Sequence, residues 1–216
     1  MKKTRENHFY RTKIYSDRIL KVRVDCVFLK KTLSLIEKWV NSNKQYQITT
    51  PNPEHIVLAQ SDYRFRNILN NSSLSIADGA GLVWAAKLLK VRPCLYKDGP
   101  LQKLSGTDLM LAMCKLAAKK NWRVFLLGAK KDTAEKAAAK IQKGSSLQIA
   151  RMILNKSNKV RPAFLQDGPL RKSLNITYFS GSENIQNETK KELREAIKRI
   201  NNFKPHFLFV AYGAPM

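Results

Sequence analysis

The stretch Leu74–Lys90, LSIADGAGLVWAAKLLK, constrains the fold of this 216-residue chain most strongly. Its first four residues are an apolar run typical of the end of a buried strand. Asp78 and Gly79 then turn the chain, and residues 81–89 are apolar on nearly every face, which predicts a buried helix. Asp78 is therefore expected at the carboxyl end of a strand, where ligands bind in open α/β sheets. Its carboxylate is either a helix cap or a reacting group.

Strand-like and helix-like segments alternate along the whole chain. The predicted strands cover residues 19–24, 46–49, 74–77, 122–127, 176–179 and 207–212, and the predicted helices cover 29–40, 53–60, 64–70, 81–89, 108–120, 132–143 and 187–203. This order predicts an α/β fold with a mostly parallel sheet flanked by helices in a single domain. Residues 1–18 are expected to be a flexible basic arm, residues 19–216 the domain, and residues 149–174 an insertion within it.

Other polar or small residues also lie where predicted strands end or helices begin. Thr50 ends a strand, with its hydroxyl expected to face the same kind of crevice as Asp78. Asn52 is a good N-cap ahead of a proline, so pocket and capping roles are both open for Thr50 and Asn52. Thr107 is a cap candidate for the next helix, and Gly128 could admit a phosphate to a helix N-terminus.

The charge of the chain is unusual, because 40 Lys and Arg residues against 16 Asp and Glu residues give +24 and a pI near 10.2. Such a surface attracts nucleic acid, anionic lipid or phosphorylated small molecules, although it is equally compatible with a solvated basic coat. The charge therefore motivates one alternative to an enzyme, a non-enzymatic nucleic-acid-binding protein. No helix-turn-helix, RRM or zinc-finger pattern is present, so nucleic acid is not the expected partner.

Several chemistries find no support in the motifs. Trp84 stands where a dinucleotide fingerprint needs its third glycine, and there is no P-loop or GxSxG. The histidines and cysteines lack metal-ligand spacing, so neither a metal nor a cofactor is predicted. Three widely separated cysteines are typical of a reduced cytosolic protein, and no apolar run is long enough to span a bilayer. A single aspartate among hydroxyl, amide and glycine groups suits a transferase with one general base and a diphosphate leaving group.

Five segments add a resemblance that spacing alone does not provide. They are TPNPEHIVLAQ (50–60), ADGAGLVWAAKLL (77–89), SGTDL (105–109), VFLLGA (124–129) and FVAYGAP (209–215). In this order and spacing the chain resembles the WecG/TagA/CpsF family of bacterial glycosyltransferases. The resemblance covers most of residues 19–143 and 175–215.

The resemblance implies a Rossmann-like α/β fold and an inverting glycosyltransferase. The sugar transferred, commonly N-acetylmannosamine or its uronic acid, comes from a UDP donor and goes to a polyprenyl-diphosphate-linked acceptor in the synthesis of cell-wall or surface polysaccharide. The protein is then expected in the cytoplasm, peripheral on the inner face of the membrane and in contact with its anionic surface. Asp78 matches the position of the catalytic base, which deprotonates the acceptor hydroxyl.

The resemblance also implies a substrate-binding set. Thr50 and Asn52 match positions that line the pocket, and Lys103 stands where the family usually has an arginine, which keeps the charge but loses the bidentate fork. The complete set of substrate-binding candidates is Thr50, Asn52, Gly79, Lys103, Thr107, Gly128, Tyr212 and Gly213.

Two departures from the family pattern carry their own expectations. The insertion at 149–174 has no counterpart in the family. The family also continues beyond its GAP motif with a Lys-Gln-Glu-like segment and a short C-terminal appendage that touches the membrane, whereas this sequence ends at Met216. Without those groups we expect weak donor binding and slow turnover.

Overall fold

A computed structural model describes residues 14–90, 104–128, 132–142, 174–180 and 189–212. The chain divides into two compact units, residues 1–106 and 107–216, and both contain helices and parallel strand pairs. The predicted α/β fold class is thereby confirmed. The predicted domain organisation, with one domain from residue 19 to residue 216, stays a prediction.

The first unit contains four strands and four helices among its described residues. They are β1 (Tyr15–Ile19), β2 (Val22–Cys26), α1 (Leu29–Val40), β3 (Ile48–Thr49), α2 (Pro53–Ser61), α3 (Tyr63–Asn71), β4 (Leu74–Ser75) and α4 (Ala80–Leu88). β1 and β2 are antiparallel, and β3 and β4 are parallel. A parallel bridge between Asp25 and Ile76 places β2 beside the β4 segment, so the strands follow the order β1-β2-β4-β3.

β1 and β2 form a hairpin with a two-residue turn. Leu20 and Lys21 both have positive φ, at 46° and 71°, as a type I′ turn requires. The turn pairs Ile19 with Val22, and both side chains are buried. The single strand predicted for residues 19–24 is therefore wrong, and the predicted boundary between arm and domain falls inside β1.

The core of the first unit lies between this hairpin and the helices. Its buried members come from β1, β2, α2, α3, α4 and the residues after β4: Ile19, Val22, Val24, Ile56, Ala59, Leu69, Ala77, Leu82 and Ala86. In α4 only Leu82 and Ala86 are buried, whereas Trp84 and Leu88 are each 66% exposed. The sequence-based prediction that α4 is a buried helix is wrong for the face that carries Trp84 and Leu88.

A buried ion pair connects the hairpin to β4. The side chain of Asp25 is 3% exposed and accepts hydrogen bonds from the Ser75 backbone N–H at 2.7 Å and from the Ser16 hydroxyl at 2.6 Å. Its other neighbour is Arg23, whose Nε lies 3.2 Å away and whose Nη2 donates to the Ser72 carbonyl at 2.6 Å. The carboxylate is thus satisfied by groups from three segments, as a buried charge must be.

The second unit is built on a three-stranded parallel sheet. Its elements are α5 (Gly106–Lys120, whose first residue belongs to the first unit), β5 (Val124–Gly128), α6 (Thr133–Gln142), β6 (Ile176–Phe179), α7 (Lys190–Phe203) and β7 (Phe207–Ala211), and the strand order is β6-β5-β7. Val124 and Phe125 are buried in the central strand, and the Phe125 ring packs edge-on against Phe203 of α7. A capping box between Thr189 and Glu192 begins α7.

The cysteines differ from the expectation of uniformly reduced thiols. Cys26 is disulfide-bonded, so the expectation is wrong for this residue. Cys114 is a free thiol inside α5, and burial raises its pKa to about 12. A thiol with such a pKa carries almost no thiolate at neutral pH and is a packing group rather than a nucleophile.

Candidate functional site

The carboxyl ends of β3 and β4 run side by side beyond the two strands. The Ile76 N–H donates to the Thr49 carbonyl, and the Asp78 N–H donates to the Pro51 carbonyl, each at 2.8 Å. Strand-like pairing therefore continues to Asp78, which lies across from the connection between β3 and α2. The structure brings the candidate base and the Thr50–Asn52 segment to one edge, as predicted from the sequence.

Gly79 determines how the chain turns from Asp78 into α4. It is the N-cap residue of α4, with φ +90° and ψ 158°, and a Cβ at this position would meet no atom within 4 Å. Backbone conformation and not space therefore requires glycine here. Asp78 is half-buried and lies one residue before the N-cap. The sequence-based alternative in which Asp78 itself caps α4 is therefore wrong. The role of Asp78 as a base stays a prediction.

Asn52 is a helix cap, as one of its two predicted roles required. Its Oδ1 accepts a hydrogen bond from the His55 N–H at 2.8 Å, and Nδ1 of His55 accepts one from the Asn52 N–H at 3.3 Å. Pro53 occupies the first turn of α2. Because Nδ1 is an acceptor, the neutral imidazole carries its proton on Nε2. The sequence analysis missed His55, although a side chain three residues after an N-cap is a recognisable capping-box position.

Two close approaches bring helix N-termini to the Thr50–Pro53 segment. A Cβ on Gly106, the first residue of α5, would lie 3.0 Å from Oγ1 of Thr50. A Cβ on Gly81, in the first turn of α4, would lie 3.0 Å from Cγ of Pro53. A side chain at either position would push its neighbour by a few tenths of an ångström, which favours glycine here, including Gly106 of the SGTDL motif, which was not among the predicted site residues.

Within the first unit, the first turns of α2 and α4 and the residue Gly106 therefore lie beside this segment. Helix N-termini carry unpaired N–H groups and partial positive charge, and several together favour an anion such as a phosphate. The first unit thus places the carboxylate-bearing Asp78 one residue before the N-cap of α4, a helix that has no side-chain cap and no acidic residue in its first turn. This combination suits a reaction in which a hydroxyl loses a proton while a phosphate group leaves.

In the second unit, Gly128 and Tyr212 come together at the carboxyl ends of β5 and β7. Gly128 pairs with Ala211 across the two strands and has φ +97°. A Cβ on Gly128 would lie 3.2 Å from three atoms of the Tyr212 ring, so the ring rests against the bare backbone. The sequence predicted both residues as substrate-binding candidates, and the structure shows that they are in contact.

The remaining candidates have different outcomes. Thr107 is exposed and lies inside the first turn of α5, so its predicted role as the cap ahead of that helix is wrong. Lys103 and Gly213 lie outside the described residues, as do residues 149–173 of the predicted insertion. In the part of the chain that is described, no group of His, Cys, Asp and Glu could hold a metal ion, and no helix combines the length and apolar character needed to cross a bilayer.

The fold and the strand-end site define an α/β protein with a carboxylate at the carboxyl ends of two parallel strands, beside the start of a helix. Residues 18–166 match the glycosyl transferase WecG/TagA/CpsF family, and the chain belongs to this family. It is similar to proteins of Staphylococcus aureus strains NCTC 8325, COL and N315 that are named N-acetylglucosaminyldiphosphoundecaprenol N-acetyl-beta-D-mannosaminyltransferase. Each is 27% identical over 168 residues, which cover 78% of this chain and 51% of the relative. The chain spans about half the length of these relatives.

Proposed function

We propose that the protein is an inverting glycosyltransferase that moves N-acetylmannosamine or a related sugar from a UDP donor to a polyprenyl-diphosphate-linked N-acetylglucosamine. The observation that carries the proposal is the position of Asp78, bonded through its backbone to Pro51 at the edge where α2 and α4 begin. Membership of the family and the names of the relatives support the choice of sugar and acceptor.

Asp78 acts as the general base in this mechanism. Its carboxylate takes the proton from the acceptor hydroxyl while that oxygen attacks the anomeric carbon on the face opposite UDP. The bond between the anomeric carbon and the diphosphate oxygen breaks, and UDP leaves with the electron pair. Because attack and departure occur on opposite faces, the configuration at the anomeric carbon inverts.

The surrounding groups stabilise the departing diphosphate. The N-terminal turn of α4, which has no side-chain cap, supplies N–H donors and partial positive charge without any rearrangement. Thr50 contributes a hydroxyl at the start of α5, and Lys103 adds a positive charge near the SGTDL motif. Gly79 fixes the turn from Asp78 into α4, and Asn52 fixes the connection from β3 into α2. Further substrate contacts come from Thr107, Gly128, Tyr212 and Gly213.

A lipid-linked acceptor also determines where the protein works. The diphosphate and sugar of such an acceptor lie at the membrane surface, so the enzyme must approach that surface. We place it on the cytoplasmic side, as a peripheral protein attracted to anionic lipid by its charge of +24.

The direct test is a transfer assay with radiolabelled UDP-N-acetylmannosamine and a short-chain polyprenyl-diphosphate-linked N-acetylglucosamine. Asp78→Asn removes the base while keeping the shape of the side chain, and we expect the rate to fall by about 10²- to 10⁴-fold. Binding of UDP, measured by calorimetry, should persist in this variant because the base contacts the acceptor and not the diphosphate. A folded Asp78→Asn protein with nearly full activity would refute the assignment.

A second assay separates this proposal from the nucleic-acid alternative, which the charge of +24 motivates. Filter binding with random DNA is titrated with salt beside a thermal-shift assay with UDP-sugar. We expect a thermal shift with UDP-sugar and only weak DNA binding. Tight DNA binding that falls steeply with salt, without any response to UDP-sugar, would instead favour the nucleic-acid function.

A further inference from the structure

Helix α4 presents an apolar face to solvent. Its exposed residues are Ala80, Gly81, Trp84, Lys87 and Leu88. At about 100° per residue these positions fall within an arc of roughly 120°, opposite the buried pair Leu82 and Ala86. Trp84 and Leu88 are each 66% exposed, and Leu89 at the end of the helix is 47% exposed. We call Trp84, Lys87, Leu88, Leu89 and Lys90 the α4 stripe.

The α4 stripe combines large apolar side chains with positive charge. Lys87 and Lys90 are exposed among the apolar residues, and residues 79–90 contain no Asp or Glu. A helix face with Trp and Leu beside lysine is typical of helices that lie in the headgroup region of a membrane. The indole of Trp84 suits this region because it has an apolar body and one polar N–H group.

Charge complementarity distinguishes the two simplest occupants of this face. In a symmetric dimer the same patch meets itself, so Lys87 and Lys90 of one copy would face those of the other. An anionic bilayer instead offers negative headgroups to the lysines and acyl chains to Trp84 and Leu88. The net charge of +24 strengthens attraction to such a surface.

We propose that the α4 stripe docks the protein on an anionic lipid bilayer, with α4 lying along the surface. A nine-residue helix is about 13 Å long, and Asp78 immediately precedes its first turn. Docking therefore keeps the Asp78 edge within about one helix length of the bilayer surface. The conclusion that docking brings Asp78 close to a lipid-linked acceptor rests on the proposed function, whereas the docking itself does not.

Vesicle flotation tests the docking directly. The full chain is mixed with vesicles of phosphatidylcholine alone or with added phosphatidylglycerol, and we expect binding to the anionic vesicles that weakens with salt. The double variant Trp84→Gln/Leu88→Gln should bind about tenfold more weakly or worse, because it removes most of the apolar area that enters the bilayer. Lys87→Gln should reduce binding about fivefold, the effect of one lysine near an anionic surface.

A matched control uses Val57 of α2, which is 69% exposed. Its helix carries Glu54 and no Lys or Arg, so it lacks the charge that the docking requires. Val57→Gln should bind vesicles like the unaltered protein. Thermal unfolding of every variant shows whether the fold is kept, and surface changes of this kind should leave the unfolding temperature nearly unchanged.

Fluorescence identifies the residue that enters the membrane. Brominated phosphatidylcholine in the anionic vesicles should quench tryptophan emission through Trp84, since Trp39 is half-buried against Tyr46 and Trp122 is only 9% exposed. Trp84→Phe should retain vesicle binding and lose most of this quenching. Quenching that persists in Trp84→Phe would contradict the proposal.

Two other results would overturn the docking. One is vesicle binding that the double variant does not change. The other is a dimer of the unaltered protein, seen by analytical ultracentrifugation, that the double variant converts to a monomer, because a second copy would then occupy the face. Asp78→Asn should bind vesicles normally, so loss of docking and loss of transfer are measured independently.

Discussion

The two strand-end regions of the molecule are held in different ways. At the first, β3 and β4 are only two residues long, and their ends are positioned by hydrogen bonds, helix starts and a buried ion pair. At the second, β5 and β7 are five residues long and pair along their whole length around buried aromatic side chains. The polar candidates Asp78, Thr50 and Asn52 lie at the first edge, and the Gly128–Tyr212 contact lies at the second.

This difference indicates a division of roles. A short strand pair contributes few ladder bonds, so its end depends on the specific polar groups around it. A long pair fixes its end through its own ladder of backbone bonds, and the residues there are free to provide shape, such as a ring lying on a bare backbone. We therefore expect the first edge to be sensitive to lost hydrogen bonds and the second to added volume.

The largest expected effect on stability comes from breaking the buried ion pair at the first edge. Asp25→Ala leaves Arg23 without its carboxylate and the Ser75 N–H without its acceptor. Removing one partner of a buried pair typically costs about 3–5 kcal/mol, and we expect the lower end because Arg23 is 24% exposed. Urea denaturation followed by circular dichroism measures the change.

The matched control is the exposed ion pair of Glu195 and Arg199 on α7. In this pair, Nε of Arg199 lies 2.7 Å from Oε1 of Glu195. Exposed pairs contribute little, so Glu195→Ala should leave the urea midpoint almost unchanged. If the two variants unfolded at the same urea concentration, the ion pair of Asp25 would not be what holds the first edge.

The two glycines with positive φ sharpen the comparison between the edges. Gly128→Ala adds a methyl group 3.2 Å from the Tyr212 ring as well as backbone strain, whereas Gly79→Ala adds only strain because its surroundings are open. A non-glycine residue with such a backbone costs about 1–3 kcal/mol, and at Gly128 overpacking against the half-buried ring adds about 1 kcal/mol. Gly128→Ala should therefore lower the free energy of unfolding more than Gly79→Ala does.

A double variant separates the two contributions at Gly128. Tyr212→Ala removes the ring that the new methyl group meets, so Gly128→Ala in that background should cost less than it does in the presence of the ring. Equal costs for Gly128→Ala with and without the ring would show that the contact does not constrain the second edge.

The sequence predicts the positions of the strand ends well, because an apolar run followed by a polar residue or glycine is a local signal. Asp78, Asn52 and Gly128 are all located in this way. The β1–β2 turn is missed because Leu20 and Lys21 lack the Asn or Gly that usually marks a type I′ turn. Local composition cannot reveal a turn that the packing of Ile19 and Val22 imposes.

Other errors arise from contacts between distant segments. Gly106 lies against Thr50, more than fifty positions earlier in the chain, where a Cβ would stand 3.0 Å from the Thr50 hydroxyl oxygen, and nothing near Gly106 in the sequence indicates this contact. The apolar character of α4 indicates burial on all sides, but the sequence does not tell which faces receive neighbours. Asp25 is charged and is nevertheless buried, because the Ser75 N–H and the Arg23 side chain satisfy its carboxylate.

The smallest effect expected concerns the pH dependence of the second unit, through His206 just ahead of β7. Desolvation and the nearby charge of Arg123 lower the pKa of His206, and its Nδ1 accepts a hydrogen bond from the Arg123 N–H at 3.0 Å. As the pH falls through about 6.5, the unfolded chain gains a proton at this residue before the folded chain does, so stability decreases. The urea midpoint should therefore fall less between pH 7.5 and 5.5 in His206→Gln than in the unaltered protein. An identical pH dependence in both would show that the contact between His206 and Arg123, at the amino ends of β7 and β5, does not contribute to the pH dependence of stability.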